Sequence, residues 1–191
     1  AQLPAWVPAE VPLGYWLVSL AGAVIWLLPK GLPFRVLGLP MLLMAVFAPR
    51  EWVPHGQVDV VQLDVGQGQA LILRTRHHTL LYDAGPRSGP VDLGARVVLP
   101  SLKKLGVAQL DMMLLSHADA DHAGGAAAVA RGVPVKRVVG GETEGLPDFL
   151  ATQPCTSGER WEWEGVSFQL WQWADGLDGN PRSCVLQVEA N

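Results

Sequence analysis

Residues 110–125 of the chain have the sequence LDMMLLSHADADHAGG, in which a short apolar run leads into a polar turn. The apolar run predicts a buried β-strand. Four potential metal ligands follow within six residues, namely His117, Asp119, Asp121 and His122. On a regular strand, alternate residues share a face, and a turn into a helix can direct the last two elsewhere. The spacing therefore allows two neighbouring cations, one held by the first His–Asp pair and one by the second.

A simpler interpretation of this stretch is a polar loop in which one aspartate caps the following helix. A single aspartate would fit that interpretation. Two histidines and two aspartates, directly after a buried strand, favour a metal site instead. Gly124 and Gly125 allow the backbone to turn tightly before the next helix begins.

The composition excludes several classes of protein. Of the 191 residues, 49% are hydrophobic and 17% are charged, so the chain is too apolar to be disordered. Two cysteines are too few for a disulfide-built miniprotein, and a net charge of −4 excludes a polycationic nucleic-acid coat protein. The length suits one domain with a modest extra segment.

Residues 1–49 differ from the remainder because they contain two long uncharged runs, 11–29 and 36–49. A membrane helix needs about 20 apolar residues. The first run meets that length narrowly, whereas the second is shorter and contains Pro40. We therefore predict one or two membrane helices in residues 1–49 and a separate domain in residues 50–191. The alternative is a buried helical hairpin of a soluble protein.

The second domain has short apolar runs separated by glycine-bearing turns, which predicts a mixed α/β layered fold. Pro100 is expected to kink or split the first of its helices. We predict strands at 58–65, 70–74, 79–82, 110–115 and 135–139, helices at 92–105 and 125–131, and a hairpin at 161–168.

The motif His-x-Asp-x-Asp-His-x-Gly-Gly at 117–125 resembles the signature of the metallo-β-lactamase fold, with Asp119 in place of the usual second histidine. Further motifs at 63–68, 80–85 and 98–107 follow at matching intervals. Together they resemble the C-terminal domain of ComEC-type DNA internalization proteins, the inner-membrane channel of natural transformation. The resemblance implies an αββα sandwich that is incomplete at the C-terminus, and it likens the apolar N-terminal run to the last membrane segments of that channel.

The same resemblance implies a metal-dependent phosphodiesterase that degrades the DNA strand that is not imported. Two divalent cations activate a water and stabilise the oxygens of an in-line displacement at phosphorus. Asp121 is the expected catalytic residue, because it can bind one metal while accepting a hydrogen bond from the attacking water. The carboxylate of Asp119 makes the site harder, which favours Mn²⁺, with Mg²⁺ or Zn²⁺ as alternatives.

Further site residues are implied by the motifs. Asp83 is expected to tie its strand end to the metal loop without binding metal. A phosphate-binding nucleotide loop at 66–68 is disfavoured, because no helix follows and Gly-Lys-Ser/Thr is absent. The expected cleft loop contains Asp64, Gly66, Gln67, Gly68 and Asp83, and the residues expected to line the substrate cleft are Asn180 and Ser183.

The sequence departs from the family pattern in three respects. Gln69 replaces an aspartate of the family loop, and no histidine follows His122, so the remaining metal ligands are expected beyond Asn191. Residues 49–191 carry 12 basic and 17 acidic side chains, a net charge of −5 that disfavours phosphate-backbone binding. Bound cations would offset this charge locally. Two alternatives therefore stay open: another hydrolase of this fold, acting on a β-lactam, a thioester or RNA, and a non-catalytic domain that guides DNA.

Charge placement also predicts an orientation. Lys30 and Arg35 lie in the link between the two apolar runs, and positive residues favour the cytoplasmic side. We therefore expect a multi-pass protein of the inner membrane with the hydrolase domain on the periplasmic side. Cys155 and Cys184 could pair there, although the sequence leaves their pairing open. The expected partners are single-stranded DNA at the channel, the membrane and other proteins of the competence machinery.

Overall fold

A computed structural model of the chain describes residues 11–29, 33–47, 52–172 and 182–190. The chain divides into two compact units. The first comprises Ala1–Glu51 with the short segment Lys104–Gly106, and the second comprises the rest of the chain.

The first unit is a helical hairpin. Helix α1 (Leu13–Leu27) is followed by a 3-10 turn (Pro33–Leu37) and helix α2 (Gly38–Leu43). The two helices approach closely at two glycines, since a Cβ on Gly22 would lie 2.7 Å from the Gly38 carbonyl oxygen. The Ser19 hydroxyl adds a link, because it donates to the Met41 carbonyl oxygen (3.1 Å) and accepts from the Ala45 N–H (2.9 Å).

The described helices do not provide the membrane helices predicted for residues 1–49. Helix α1 has 15 residues and helix α2 has six, and within the described ranges no helix combines the length and the apolarity that a membrane crossing requires. Two prolines account for the length of α1, because Pro12 precedes its first residue and Pro29 follows its C-cap. Lys30, on which the predicted orientation depends, lies outside the described residues.

The larger sheet of the second unit has six strands in the order β1-β2-β3-β6-β7-β8. The first three strands form an antiparallel meander, and the others add in parallel. The strands are β1 (Asp59–Gln62), β2 (Leu71–Arg74), β3 (Thr79–Tyr82), β6 (Met112–Leu115), β7 (Val138–Gly140) and β8 (Gln153–Pro154). The five strands predicted for this part of the chain are confirmed, and the two-residue β8 was not predicted.

A second, three-stranded sheet has the antiparallel order β11-β10-β9. Its strands are β9 (Arg160–Trp163), β10 (Val166–Gln172) and β11 (Cys184–Glu189), of which the first two are the predicted hairpin. A small hairpin, β4 (Arg87–Ser88) with β5 (Val91–Asp92), was not predicted. Its strands are too short for the alternation that indicates a strand.

The helix predicted at 92–105 forms in two parts, as expected for a run that contains Pro100. A π-helical turn over Gly94–Val98 leads into α3 (Leu99–Lys104). Proline has no N–H to donate to the preceding turn, and the wider π-helical turn accommodates it. The second predicted helix is α5 (Ala126–Gly132), and the short α4 (Ala120–Ala123) precedes it.

The hydrophobic core of this unit joins the two sheets. It contains buried side chains from both of them, namely Leu73, Leu80, Met112, Leu114, Val139, Cys155, Leu170 and Cys184. Cys155 and Cys184 form a disulfide, with their Cα atoms 5.9 Å apart, which settles the pairing that the sequence left open. Because Cys184 begins β11, the disulfide fixes that strand to the chain segment after β8.

Candidate metal centre

The predicted ligands lie where two parallel strands end. Strand β6 ends at Leu115, and the backbone stays extended at Asp119 (φ −61°, ψ 146°) before α4 begins. Its parallel neighbour β3 ends at Tyr82, directly before Asp83. Since the carboxyl ends of parallel strands meet at one sheet edge, this topology brings residues 83 and 116–122 together.

Three of the four predicted ligands converge. One ligand atom from each of His117, Asp121 and His122 lies within 4.8 Å of the other two. The fourth, Asp119, places its Oδ2 3.4 Å from His117 Nε2. Asp121 Oδ2 lies 3.8 Å from His122 Nε2. Each carboxylate therefore lies beside the histidine with which it was predicted to hold a cation.

This donor set fits a divalent metal ion. Imidazole nitrogens and carboxylate oxygens are the ligands that Zn²⁺, Mn²⁺ and non-haem iron bind in proteins. The His117 side chain is only 7% exposed, whereas Asp119 is 63% and Asp121 38% exposed. The histidine is therefore at the base of the site and the carboxylates are at its solvent side, which leaves the centre open to a substrate.

Asp83 is fully buried and holds the ligand loop in place. Its Oδ1 accepts from the Ser116 N–H (2.7 Å), and its Oδ2 accepts from the Ser116 hydroxyl (2.8 Å). His122 Nδ1 lies 2.7 Å from the same Oδ2. Because a carboxylate only accepts, Nδ1 donates in this hydrogen bond, and Nε2, on the side of Asp121, is the ring nitrogen that could bind a metal. Asp83 thus positions the candidate ligand His122, and its own backbone adopts a positive φ of 56°.

The loop after β1 packs against the backbone of Asp121. Gly68 has a φ of 126°, and a Cβ on it would lie 2.1 Å from the Asp121 carbonyl oxygen. The Gln69 N–H donates to that same oxygen (3.3 Å), and Asp64 Oδ1 accepts from the Gly66 N–H (3.3 Å) to close the loop. The predicted cleft loop therefore contacts the site through backbone atoms. Gln67 shares a pocket wall with Asp121.

Of the two residues predicted to line the substrate cleft, the structure describes one. Ser183 Oγ lies 3.5 Å from His117 Nδ1, and the Cys184 N–H donates to the Ser116 carbonyl oxygen (2.8 Å). Asn180 lies outside the described residues, so its role stays a prediction.

The side chain of Tyr82, next to Asp83 in sequence, links the two sheets. Burial, followed by the neighbouring charge of Asp83, raises the pKa of Tyr82 to about 12. Tyr82 therefore stays protonated and donates to the Cys184 carbonyl oxygen (2.8 Å). This bond joins β3 of the larger sheet to β11 of the smaller one, so both sheets contribute to the support of the ligand loop.

Two residues near the site were missed by sequence analysis. Glu142 Oε2 accepts from the Ala118 N–H (3.1 Å) and so fixes the backbone between two predicted ligands. Arg87 on β4 lines a pocket with Asp121. The position of Glu142 just beyond a parallel strand was the available signal, because such strand ends meet at one edge.

Comparison with known proteins defines the class. Residues 63–189 match the sequence profile of the Metallo-beta-lactamase superfamily. The chain therefore belongs to this superfamily, and the predicted fold is confirmed. A solved structure, described as the first B3 metallo-beta-lactamase with an active-site glutamic acid, agrees in fold, with a TM-score of 0.53 and 22% identity over 78% of this chain and 62% of that one.

Sequence similarity to individual proteins narrows the relationship further than the superfamily does. The chain is 34% identical to Competence protein ComA of Neisseria gonorrhoeae over 98% of this chain and 26% of that protein. It is 33% identical to Recombination protein 2 of Haemophilus influenzae over 71% of this chain and 17% of that protein. The match to Competence protein ComA confirms the resemblance to competence proteins. The chain spans about a quarter or less of the length of these two relatives.

Proposed function

We propose that this chain belongs to a DNA-uptake protein and contributes the metal-dependent hydrolase domain that cleaves the DNA strand that is not imported. The observation that carries the proposal is the convergence of His117, Asp121 and His122 on a metallo-β-lactamase fold. The match to Competence protein ComA supports the role in DNA uptake.

The residues that would hold metal are the three converging ligands, with Asp119 beside His117 as the start of a second position. Divalent cations supply an activated water and charge stabilisation for in-line displacement at phosphorus. We propose two ions, with Mn²⁺ favoured over Mg²⁺ and Zn²⁺, because carboxylates contribute much of the donor set.

The side chains of this chain orient the reacting groups. The Asp83 carboxylate fixes the His122 ring and its tautomer, so that Nε2 is available as a ligand. The Gly68 contact holds the Asp121 backbone. Asp121 is partly exposed, and we assign to it the acceptance of a hydrogen bond from the attacking water.

We further propose that the protein is in the inner membrane with this domain on the periplasmic side. The Cys155–Cys184 disulfide supports an oxidising compartment. The first unit exposes many large apolar side chains, among them Leu17, Leu20, Val24, Phe34 and Phe47, which supports contact with lipid or with other apolar segments. The proposed partners are single-stranded DNA and other proteins of the uptake machinery.

The test is DNA cleavage by the full-length protein. Single- and double-stranded DNA are incubated with Mn²⁺, Mg²⁺, Zn²⁺ or chelator. We expect cleavage that requires metal and falls by at least about 100-fold in Asp121→Asn, in line with the loss of an acid–base group. Asp148→Asn is the matched control, because Asp148 is exposed on a 3-10 turn and is not one of the site residues.

Absence of cleavage by a folded protein with metal bound would contradict the proposal. It would favour a non-catalytic domain that guides DNA, for which Gln69, in place of the family aspartate, is the specific observation. Cleavage of a β-lactam or a thioester in place of DNA would indicate a different hydrolase of this fold.

A further inference from the structure

A pocket of about 440 Å³ adjoins the candidate metal centre. It lies between the loop after β1, the β4–β5 hairpin and the start of α4, and Asp121 belongs both to its wall and to the metal-ligand cluster. Its volume is within the range of roughly 300–1,000 Å³ that is typical of small-ligand sites. The pocket was not expected from the sequence, because the hairpin that forms one wall was not predicted.

The lining of this pocket has one apolar and one polar part. Val65, Val91 and Leu93 provide the apolar wall, and Arg87 and Gln67 provide polar groups beside Asp121. A flat, partly apolar group and an anionic group on the same ligand would suit these two parts.

Arg87 is placed to bind an anion. Its Nε forms a long ion pair with Asp92 Oδ2 (3.9 Å) without a hydrogen bond, and its side chain is 54% exposed, so the guanidinium N–H groups can still donate to a bound anion. By contrast, the guanidinium groups of Arg74 and Arg137 each donate hydrogen bonds to a carboxylate. The guanidinium fork matches the oxygens of a phosphate, to which it can donate two parallel hydrogen bonds.

The backbone of Arg87 is held close to the ligand loop. A Cβ on Gly124 would lie 2.5 Å from the Arg87 nitrogen, so the hairpin packs directly against the turn between α4 and α5. The Leu93 N–H donates to the Pro86 carbonyl oxygen (3.0 Å) and closes the base of the hairpin. The backbone from which the Arg87 side chain extends is therefore held in place. A positive charge here also offsets the net charge of −5 carried by residues 49–191, which disfavours nucleic-acid binding.

We propose that this pocket binds the nucleotide that adjoins the scissile phosphate. Arg87 pairs with the phosphate of that nucleotide, and Val65, Val91 and Leu93 contact its sugar and base. The inference rests on the proposed function and specifies its substrate class as a phosphodiester that carries a nucleoside.

Direct binding of two probes to the full-length protein tests this proposal. Calorimetry in Mn²⁺ buffer gives Kd for thymidine 5′-monophosphate, which has a base, and for inorganic phosphate, which has none. We expect Arg87→Ala to weaken thymidine 5′-monophosphate binding about tenfold, through loss of a charge-assisted pair. The Kd of Arg87→Lys for thymidine 5′-monophosphate should lie between those of the unaltered protein and of Arg87→Ala, because lysine keeps the positive charge but lacks the planar guanidinium group.

The matched control is Arg96→Ala, which removes the same charge from an exposed residue on the π-helical turn outside the pocket. It should leave both affinities unchanged. Val91→Asn should reduce the preference for thymidine 5′-monophosphate over phosphate, because Val91 is a half-exposed part of the apolar wall.

Equal Kd values for Arg87→Ala and Arg96→Ala, or no binding of either probe by the unaltered protein, would overturn the assignment of Arg87. Equal affinity of the unaltered protein for both probes would overturn the base contact. DNA cleavage by the same samples separates the two proposals. DNA cleavage without Arg87-dependent binding would refute only the proposal that the pocket binds a nucleotide. Arg87-dependent binding without DNA cleavage would support nucleotide binding in the pocket and refute the proposed hydrolase activity.

Discussion

The carboxylate of Asp83 binds two residues of the metal-ligand loop, Ser116 and His122, at a fully buried position. Each of its oxygens accepts a hydrogen bond from Ser116, and one oxygen also accepts from His122 Nδ1. A buried carboxylate that accepts several hydrogen bonds is stable only while all its donors stay in place. The tautomer of His122 therefore depends on a residue 39 positions earlier in the chain.

We predict that Asp83→Asn lowers metal affinity by about 10- to 100-fold, the usual effect of losing a supporting partner of a metal-bound histidine. The amide oxygen can still accept from Ser116, but the amide NH₂ would face His122 Nδ1. The ring would then place its proton on Nε2, the ligand atom. Metal titration followed by calorimetry measures the effect, with Asp148→Asn as control. Unchanged affinity in a folded Asp83→Asn protein would show that the tautomer does not depend on Asp83.

Gly68 and Gly66 provide a matched pair in the loop that packs on Asp121. Gly66 has a φ of 68° and open space around it, whereas Gly68 has a φ of 126° and meets the Asp121 carbonyl oxygen. Gly66→Ala incurs only the left-handed backbone cost, roughly 1–2 kcal/mol. Gly68→Ala adds a steric overlap that the loop must move to relieve, so it should lower the free energy of unfolding by more than Gly66→Ala. Urea unfolding of both variants is the measurement, and equal losses would contradict the contact with Asp121.

The convergence of three of the four candidate metal ligands could be predicted from sequence, because their spacing is local and a buried strand precedes them. The supporting residues could be predicted only in part. Asp83 was recognised through its motif, whereas Glu142 was missed because it meets Ala118 across a sequence separation of 24. Arg87 was missed for a related reason, since its position beside Asp121 depends on how the β4–β5 hairpin packs on Gly124.

At the scale of elements, the turns of the two sheets are tied together by one carboxylate. Glu164, in the β9–β10 turn, accepts hydrogen bonds from the Thr75 hydroxyl and His77 N–H of the β2–β3 turn, and its Oε1 lies 2.8 Å from His78 Nδ1. The His78 ring also stacks on Trp163, with centroids 4.8 Å apart. These contacts cover one end of the core between the two sheets. The candidate metal centre lies at the opposite end, where β3 and β6 end.

We predict an acid-dependent loss of stability at this link. Burial raises the pKa of Glu164, but hydrogen bonds from Thr75 and His78 outweigh it, and the net pKa is lowered. A lowered carboxyl pKa stabilises the fold above the unfolded-state value, roughly 4.3, and this contribution is lost as pH falls through the folded-state pKa.

The corresponding measurement is urea unfolding of Glu164→Gln and of the unaltered protein between pH 7 and pH 3. The difference in free energy of unfolding should be fully present above about pH 5 and should shrink below about pH 4. Glu162→Gln, an exposed neighbour on β9, is the control and should show no such trend. A Glu164→Gln difference that stays constant with pH would refute the role of its charge.

Element predictions from sequence succeeded where the periodicity was long enough to be distinctive. The meander, the buried strand β6 and the β9–β10 hairpin were all found. The strands β4, β5 and β8 have two residues each, too few for a period-two pattern. The length of the first apolar run suited a membrane helix, yet α1 is confined to 15 residues between Pro12 and Pro29. Proline placement, more than hydropathy, decided the length of that helix.

At the scale of the whole molecule, the compartment of the second unit determines whether its disulfide forms. Cys155 and Cys184 are both buried and are 29 residues apart in sequence. A disulfide that closes a loop of that length contributes about 3 kcal/mol or somewhat more to stability. The cytosol keeps thiols reduced, whereas the periplasm oxidises them. The redox state of this pair in living cells therefore reports the side of the membrane on which the domain lies.

We predict that the pair is oxidised in cells that express the full-length protein. Cells are quenched in acid, denatured and alkylated with a polyethylene-glycol maleimide, with and without prior reduction. Denaturation exposes the two buried sulfur atoms, so the count of adducts reports only their redox state. Prior reduction should increase the number of maleimide adducts by two more in the unaltered protein than in a Cys155→Ser/Cys184→Ser variant. The double variant gives the number of adducts that come from any other cysteines. Two adducts without reduction would place the domain in the cytoplasm and contradict the proposed orientation, because a periplasmic domain with its sulfur atoms already in bonding position would be oxidised.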